Sequence, residues 1–158
     1  MKRIMIAMVL LLSLLCACAP IPSGDEPAVL SLRYRDVDLT VGMAAETVIA
    51  QLGDDYTMTE AESCAGQGQD RMYTYPSVRL YVFVPVDGEA VVSSVSYTDD
   101  GVQTADGLHV GSSSSDVVSA LGKADETSDA RLIYRGKGAV LTFGLRDGVV
   151  VSMVLAGE

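Results

Sequence analysis

Residues 30–158 contain one Cys and one His, Cys64 and His109, which together have the types needed for nucleophilic chemistry. A thiol becomes a nucleophile when a neighbouring base takes its proton, so a Cys–His pair could serve an enzyme of the cell envelope. A lone Cys between a helix and a strand is more often a small buried apolar residue, which is the interpretation we favour for Cys64. His109 alternates with Leu108 and Val110 and should face solvent. We therefore expect no enzyme and no catalytic residue, with the Cys64/His109 enzyme as an alternative.

Two further polar clusters permit weaker chemical interpretations. The run Ser112–Ser115 has no Gly-x-Ser-x-Gly motif around it and lies where a helix cap is expected. Asp99, Asp100 and Asp106 could bind calcium, but the EF-hand spacing is missing. No Cys and His residues have zinc-ligand spacing. The sequence predicts neither a metal nor a cofactor.

Tyrosine and arginine residues on the predicted strands indicate a recognition surface instead. Both residue types are enriched in protein interfaces, and an exposed sheet face would present them rigidly. The alternative is that the tyrosine rings pack under helices or loops and leave only their hydroxyls in water. The candidate binding residues are Tyr73, Tyr75, Arg79, Tyr81, Phe83, Tyr97, Tyr134 and Arg135.

The elements that position these residues form two similar blocks, residues 42–53 and 111–122. Each block is followed by strands and an Asp-Gly turn, so the order of features repeats as well. We predict two tandem repeats, 30–100 and 101–158. Four pairs of identical residues recur at a spacing of 69: Gly42 and Gly111, Val48 and Val117, Leu52 and Leu121, and Gly53 and Gly122.

Each block predicts a short helix. In the second, Ser113 and Asp116 have the spacing of a capping box, which satisfies free backbone N–H groups. Val117, Ala120 and Leu121 would share the buried side of this helix. The equivalent cap position in the first block is Ala44, whose side chain cannot accept a hydrogen bond. The N-terminus of that helix should therefore be less stable.

The remaining pattern predicts an antiparallel sheet. Residues 78–84 alternate between apolar positions and the set Arg79, Tyr81 and Phe83. Asp87-Gly88 and Asp147-Gly148 are typical of hairpin turns. The predicted fold class is α+β, with two tandem repeats of one helix plus a three-stranded meander. The helices would cover one face of the sheet and leave the other face exposed.

Composition and the first residues predict an exported protein. The chain has 158 residues and a formal net charge of −10, without a basic cluster, which argues against nucleic acid as a partner. Lys2 and Arg3 precede an apolar run of about a dozen residues, the plan of a secretory signal over residues 1–17. That run is too short for a spanning helix, which needs about 20 residues.

The stretch Leu15-Cys16-Ala17-Cys18 resembles the lipobox of bacterial lipoproteins. The resemblance implies cleavage before Cys18 and lipidation of that residue, with residues 18–29 as a Pro-rich tether. The protein would then be anchored on the outer face of the cytoplasmic membrane, or in the outer membrane of a two-membrane cell. The alternative is an ordinary signal peptide with incidental cysteines.

The Gly-Met…Val…Leu-Gly block followed by a meander resembles small lipoproteins of the SmpA/OmlA type. Two such units in tandem resemble the family of the beta-lactamase inhibitor protein. The segments 104–111, 62–64 and 73–75 are similar to lipoproteins of clostridial-type bacteria. The resemblance covers most of residues 30–156 and implies a module that grips a partner with its concave sheet face.

The predicted function is therefore a lipid-anchored, non-catalytic module that binds a protein or a ligand through its sheet face. A structural accessory role in envelope assembly is an alternative that the same relatives suggest. Inhibition of a beta-lactamase is not carried over, because the chain has no Trp and lacks the paired cysteines of that family.

Overall fold

Antiparallel strands dominate the computed structural model, which describes residues 29–64, 66–97 and 99–158. The predicted signal, the lipobox with Cys18 and all but the last residue of the predicted tether lie outside the described residues. The described elements in chain order are β1 (Leu32–Tyr34), β2 (Val37–Leu39), α1 (Ala45–Leu52), β3 (Thr57–Glu62), β4 (Gly68–Thr74), β5 (Val78–Pro85), β6 (Val91–Tyr97), β7 (Gln103–Thr104), α2 (Ser114–Leu121), β8 (Glu126–Ser128), β9 (Arg131–Gly136), β10 (Ala139–Arg146) and β11 (Val149–Gly157).

Eight of these strands form one continuous antiparallel sheet in the order β3-β4-β5-β6-β11-β10-β9-β8. Its centre is the pairing of β6 with β11, where Tyr97 lies opposite Met153 and Val95 opposite Leu155. A smaller sheet in the order β2-β1-β7 is built from the segments before α1 and before α2. Within the large sheet, neighbouring strands are therefore consecutive in the chain, except at the central β6–β11 seam.

One apolar core connects the large sheet, the small sheet and both helices. A row of buried residues crosses the large sheet from Tyr73 through Leu80, Val95 and Leu155 to Leu141. Leu32, Tyr34 and Leu39 of the small sheet belong to the same cluster, and the Tyr34 ring lies 6.2 Å from that of Tyr75. The large sheet therefore has an inner face that covers the core and an outer face that does not.

The two blocks seen in the sequence make equivalent backbone hydrogen bonds. The Gly42 N–H donates to the Val92 carbonyl, and the Gly111 N–H donates to the Val150 carbonyl, both at 2.8 Å. At the helix ends the Gly53 and Gly122 N–H groups each donate to a carbonyl four residues back, both at 2.9 Å. We call residues 42–97 the first unit and residues 111–157 the second unit.

The predicted α+β class is wrong, because the described chain is mainly β. Each helix has only eight residues, and each unit contributes four strands rather than the three of the expected meander. Within the two units, the strands that were not predicted are β3 and β8, whose residues are all exposed. A strand without a buried side chain has no alternation of apolar and polar residues, so its pattern gives no signal.

The local predictions at the helix ends are confirmed, but the buried side of α2 is narrower than expected. The Asp116 N–H donates a hydrogen bond to the Ser113 hydroxyl, and the Ser113 N–H donates one to the Asp116 carboxylate, which completes a capping box. Ala44 makes no side-chain cap. Ala120 is exposed, and Val117 is the buried residue of α2. Asp147 and Gly148 both have positive φ in a tight hairpin turn, as the sequence predicts.

Candidate binding face

The outer face of the eight-stranded sheet carries the residues that remain available for recognition. Along β5 the side chains alternate, with Leu80 and Val82 buried on the inner face and Arg79 exposed on the outer face. Tyr81 is half-buried on the same outer side. The sequence interpretation of this strand is confirmed, because the period of two in a strand separates the two sets.

A groove of about 880 Å³ crosses this outer face from β3 to β11. Its floor is built from short side chains: Ser96 lies opposite Arg79, and Ser94 lies opposite Tyr81. On the next strand Ser152 lies opposite Gly144, and a side chain at Gly144 would meet the Ser152 hydroxyl at 2.3 Å. The small residues of the central strands therefore leave a depression beside the longer side chains of β5.

The groove combines hydroxyl groups with one arginine that has no acidic partner. Arg33, Arg71 and Arg135 form ion pairs with carboxylates, whereas Arg79 forms none within the described part of the chain. Asp70 also lines the groove but is not paired with Arg79. An exposed guanidinium with several donors, beside serine hydroxyls, suits a carboxylate or another planar anion.

Four of the predicted binding residues lie in the core instead of on the outer face. Tyr73, Tyr75, Tyr97 and Tyr134 are all less than a tenth exposed. Their positions follow the same parity as the buried row of the sheet, so their rings point inward. The prediction that they form a binding surface is wrong, and the alternative, that these rings pack beneath the other elements, describes them better.

Two of these tyrosines make equivalent hydrogen bonds in the two units. The Tyr75 hydroxyl donates to the Gly53 carbonyl at 3.2 Å, and the Tyr134 hydroxyl donates to the Gly122 carbonyl at 3.0 Å. Each hydroxyl satisfies a carbonyl at the end of a helix, where no intrahelical donor is available. Burial raises the pKa of Tyr75 to about 12 and also raises the pKa of Tyr134.

Tyr97 differs from these two because its hydroxyl is buried and has no hydrogen-bond partner within the described residues. Burial strongly raises the pKa of Tyr97, since a charged phenolate would be poorly solvated in the core. Its hydroxyl is therefore an unfavourable group of the core rather than a contact for a ligand.

The other four predicted residues lie on the outer side of the large sheet. Arg79 and Tyr81 line the groove. Phe83 is half-buried near the end of β5, where its ring lies close to Gly66. Arg135 is exposed on β9 and pairs with Glu126, with its Nη2 atom 2.6 Å from the carboxylate. On this face Arg79 is therefore unpaired, whereas Arg135 is paired.

The serines of the groove floor are not among the predicted binding residues. Ser94 and Ser96 alternate with the buried Val95 and Tyr97 along β6, so their outward direction was readable from the pattern. They were not considered because a serine on a strand has no specific chemistry by itself.

The two residues proposed for the alternative enzyme do not form a site. Cys64 is exposed in the turn between β3 and β4, so the prediction that it is buried is wrong. His109 is exposed, as predicted, and its Nδ1 atom lies 3.0 Å from the Gly107 carbonyl and 3.4 Å from the Ser112 hydroxyl. No hydrogen bond or other contact between the two side chains is found in the described residues, and no cluster of metal-binding side chains is found there either.

Comparisons of the chain with protein-family models, with curated proteins and with solved structures find no match. Neither helix of the described residues has the length and apolar character required to cross a bilayer. The candidate site therefore has to be judged on its own geometry.

Proposed function

We propose that the protein is an exported, lipid-anchored binding module that acts without catalysis. In this proposal Cys18 carries the lipid, and the outer face of the large sheet takes a partner with an exposed carboxylate. The tandem arrangement and the lipobox-like stretch of the sequence support the kinship with small binding lipoproteins. The main observation in its favour is the open groove with the unpaired Arg79.

The charge of the chain sharpens this interpretation. Acidic residues exceed basic ones by 21 to 11 over the whole chain. Arg79 is nevertheless unpaired, and the serines beside it offer additional hydroxyl groups without charge. A carboxylate of a partner would gain charge-assisted hydrogen bonds from the guanidinium. The chemistry favours a protein or ligand whose acidic group reaches into the groove.

A position-specific crosslinking experiment tests the binding face in cells that produce the full-length chain. A photoreactive residue replaces Ser96 in the groove, and a second version carries it at the exposed Lys123 as a control. We expect a defined product from position 96 that disappears when Arg79→Ala is added. Equal products from both positions, or a product that does not depend on Arg79, would contradict the proposal.

The lipid anchor is tested separately. Cells that produce the chain are labelled with a palmitate analogue, and the protein is compared with its Cys18→Ser variant. We expect label in the first and none in the second, together with release of the variant from the membrane fraction. Label that persists in Cys18→Ser would refute the assignment.

A further inference from the structure

Strand β3 forms one free edge of the eight-stranded sheet. It has six exposed residues and pairs with β4 in an unbroken register from Thr57–Thr74 to Glu62–Gln69. The opposite edge, β8, has only three residues. The unpaired N–H and C=O groups of a long regular edge are a template for another strand.

The register identifies the backbone groups that are free. The Ser63 N–H donates to the Gly68 carbonyl at 3.1 Å, so this pair is hydrogen-bonded. Hydrogen-bonded and non-bonded pairs alternate in an antiparallel ladder. Met58, Glu60 and Glu62 therefore direct their N–H and C=O groups away from β4, towards an incoming strand.

The side chains of the same three residues decide what that strand can be. They lie on the inner side of the sheet, where Met58 is 47% exposed. Glu60 pairs with Arg71, whereas Glu62 forms no ion pair in the described residues. Strand β3 contains no lysine, proline or bulge, so its protection against random pairing rests on the two charged side chains, Glu60 and Glu62.

The acidic character of this edge argues against pairing with a second copy. Two β3 strands paired about Glu60 or Glu62 would place like charges opposite each other, which is unfavourable. The high negative charge of the whole chain adds to this repulsion. A basic strand, in contrast, would find both free backbone groups and complementary side chains.

We propose that the β3 edge binds an extended, basic polypeptide segment as a ninth strand. Backbone hydrogen bonds to Met58, Glu60 and Glu62 provide the affinity, and alternating lysine or arginine side chains beside the two glutamates provide the selectivity. An apolar side chain fits beside Met58. This surface adjoins the groove, which begins at β3, but the edge proposal uses backbone groups and acidic residues rather than Arg79.

The test measures binding of a fluorescent synthetic peptide of alternating threonine and lysine to the full-length protein in detergent. We expect binding that weakens as salt is added, and no binding of the matched threonine–glutamate peptide. Glu62→Pro should abolish binding, because it removes a free N–H at the edge. Proline is tolerated there, since that N–H does not bond β4.

Two charge variants separate edge pairing from general attraction. Glu62→Gln keeps the backbone group and should weaken binding about two- to fivefold, the range of one exposed ion pair. Glu89→Gln removes an exposed charge from the turn after β5 and should change nothing. The proposal is overturned if the lysine peptide does not bind, if Glu62→Pro binds it as well as the unchanged protein, or if Glu89→Gln weakens binding as much as Glu62→Gln. It is also overturned if the protein self-associates and Glu62→Pro abolishes that association.

Discussion

Helices α1 and α2 occupy equivalent places in the two units. Their C-terminal ends make the same hydrogen bonds, whereas their N-terminal ends differ in capping. Both end at a glycine with φ near 80°, Gly53 or Gly122, whose carbonyl accepts a hydrogen bond from a tyrosine hydroxyl. At the start, α2 has the complete capping box of Ser113 and Asp116, whereas Ala44 caps nothing. One unit therefore lacks a contact that the other has.

The helix without a side-chain cap, α1, buries more apolar residues than α2 does. Helix α1 buries Ala45, Val48 and Leu52, whereas Val117 is the buried residue of α2. An eight-residue helix is too short to be stable alone in water. The comparison indicates that α1 is held chiefly by its apolar contacts and that α2 depends more on its cap. Similar helices in one chain can thus be stabilised by different means.

The largest expected effect tests the burial half of this comparison. Leu52→Ala should lower the free energy of unfolding by about 2–5 kcal/mol, because a fully buried leucine leaves a cavity. The equivalent Leu121→Ala in α2 should cost clearly less, since Leu121 is half-buried. Urea unfolding of both variants measures the difference, and equal losses would contradict it.

The cap half is tested by exchanging the cap residues. Ser113→Ala should lower the free energy of unfolding by about 1 kcal/mol, because it leaves helix N–H groups without their acceptor. Ala44→Ser should raise stability, by up to about 1 kcal/mol, if a cap is what α1 lacks. The same urea titration serves for both. A destabilising Ala44→Ser would show that the start of α1 cannot use a hydroxyl.

Removing the hydroxyls of three buried tyrosines should change the free energy of unfolding by smaller amounts, and in opposite directions. Tyr75→Phe and Tyr134→Phe should each lower the free energy of unfolding by about 0.5–1.5 kcal/mol, through loss of one hydrogen bond to a helix end. Tyr97→Phe should raise it by about 1 kcal/mol, because it removes a buried hydroxyl without a partner. Thermal unfolding of the three variants measures these changes, and a destabilised Tyr97→Phe would contradict the last.

The smallest effect is a response to acid confined to α2. Hydrogen bonds from the Ser113 side chain and backbone lower the pKa of Asp116, which is fully exposed. Because the folded-state value lies below the unfolded one, this stabilisation is present above the ordinary pKa of aspartate and is lost as pH falls through the lowered value. An NMR titration should move the Asp116 amide at that lowered midpoint, and the equivalent Thr47 amide should not respond there.

Much of the local structure could be predicted from single residues. The Ser113–Asp116 spacing, the glycines at the helix ends and the alternation along β5 each predict one feature, and the structure contains all of them. These features succeed because a cap, a positive φ or a strand face depends on a few neighbouring residues. Arg79 and Tyr81 were placed correctly for this reason.

The fold class and half of the predicted binding set depended on information that neighbouring residues do not contain. The edge strands β3 and β8 bury nothing, so no apolar pattern marks them. The faces of Tyr73 and Tyr134 depend on the register of whole strands, and a shift of one residue reverses a face. Exposure of Cys64 likewise follows from a turn that only the paired strands define.

The central seam of the sheet has a consequence for how the chain acquires its shape. Strand β6 belongs to the first unit and pairs with β11 of the second unit. In the sequence, all the other strands of the second unit lie between the two. Pairing over such a distance in sequence slows folding. Until the β6–β11 pairing forms, the edge of β6 that carries Val95 and Tyr97 is unpaired. An unpaired edge of this kind promotes aggregation or exchange of strands between molecules. Because the two halves share one core and this seam, we expect that neither forms a stable fragment when produced alone.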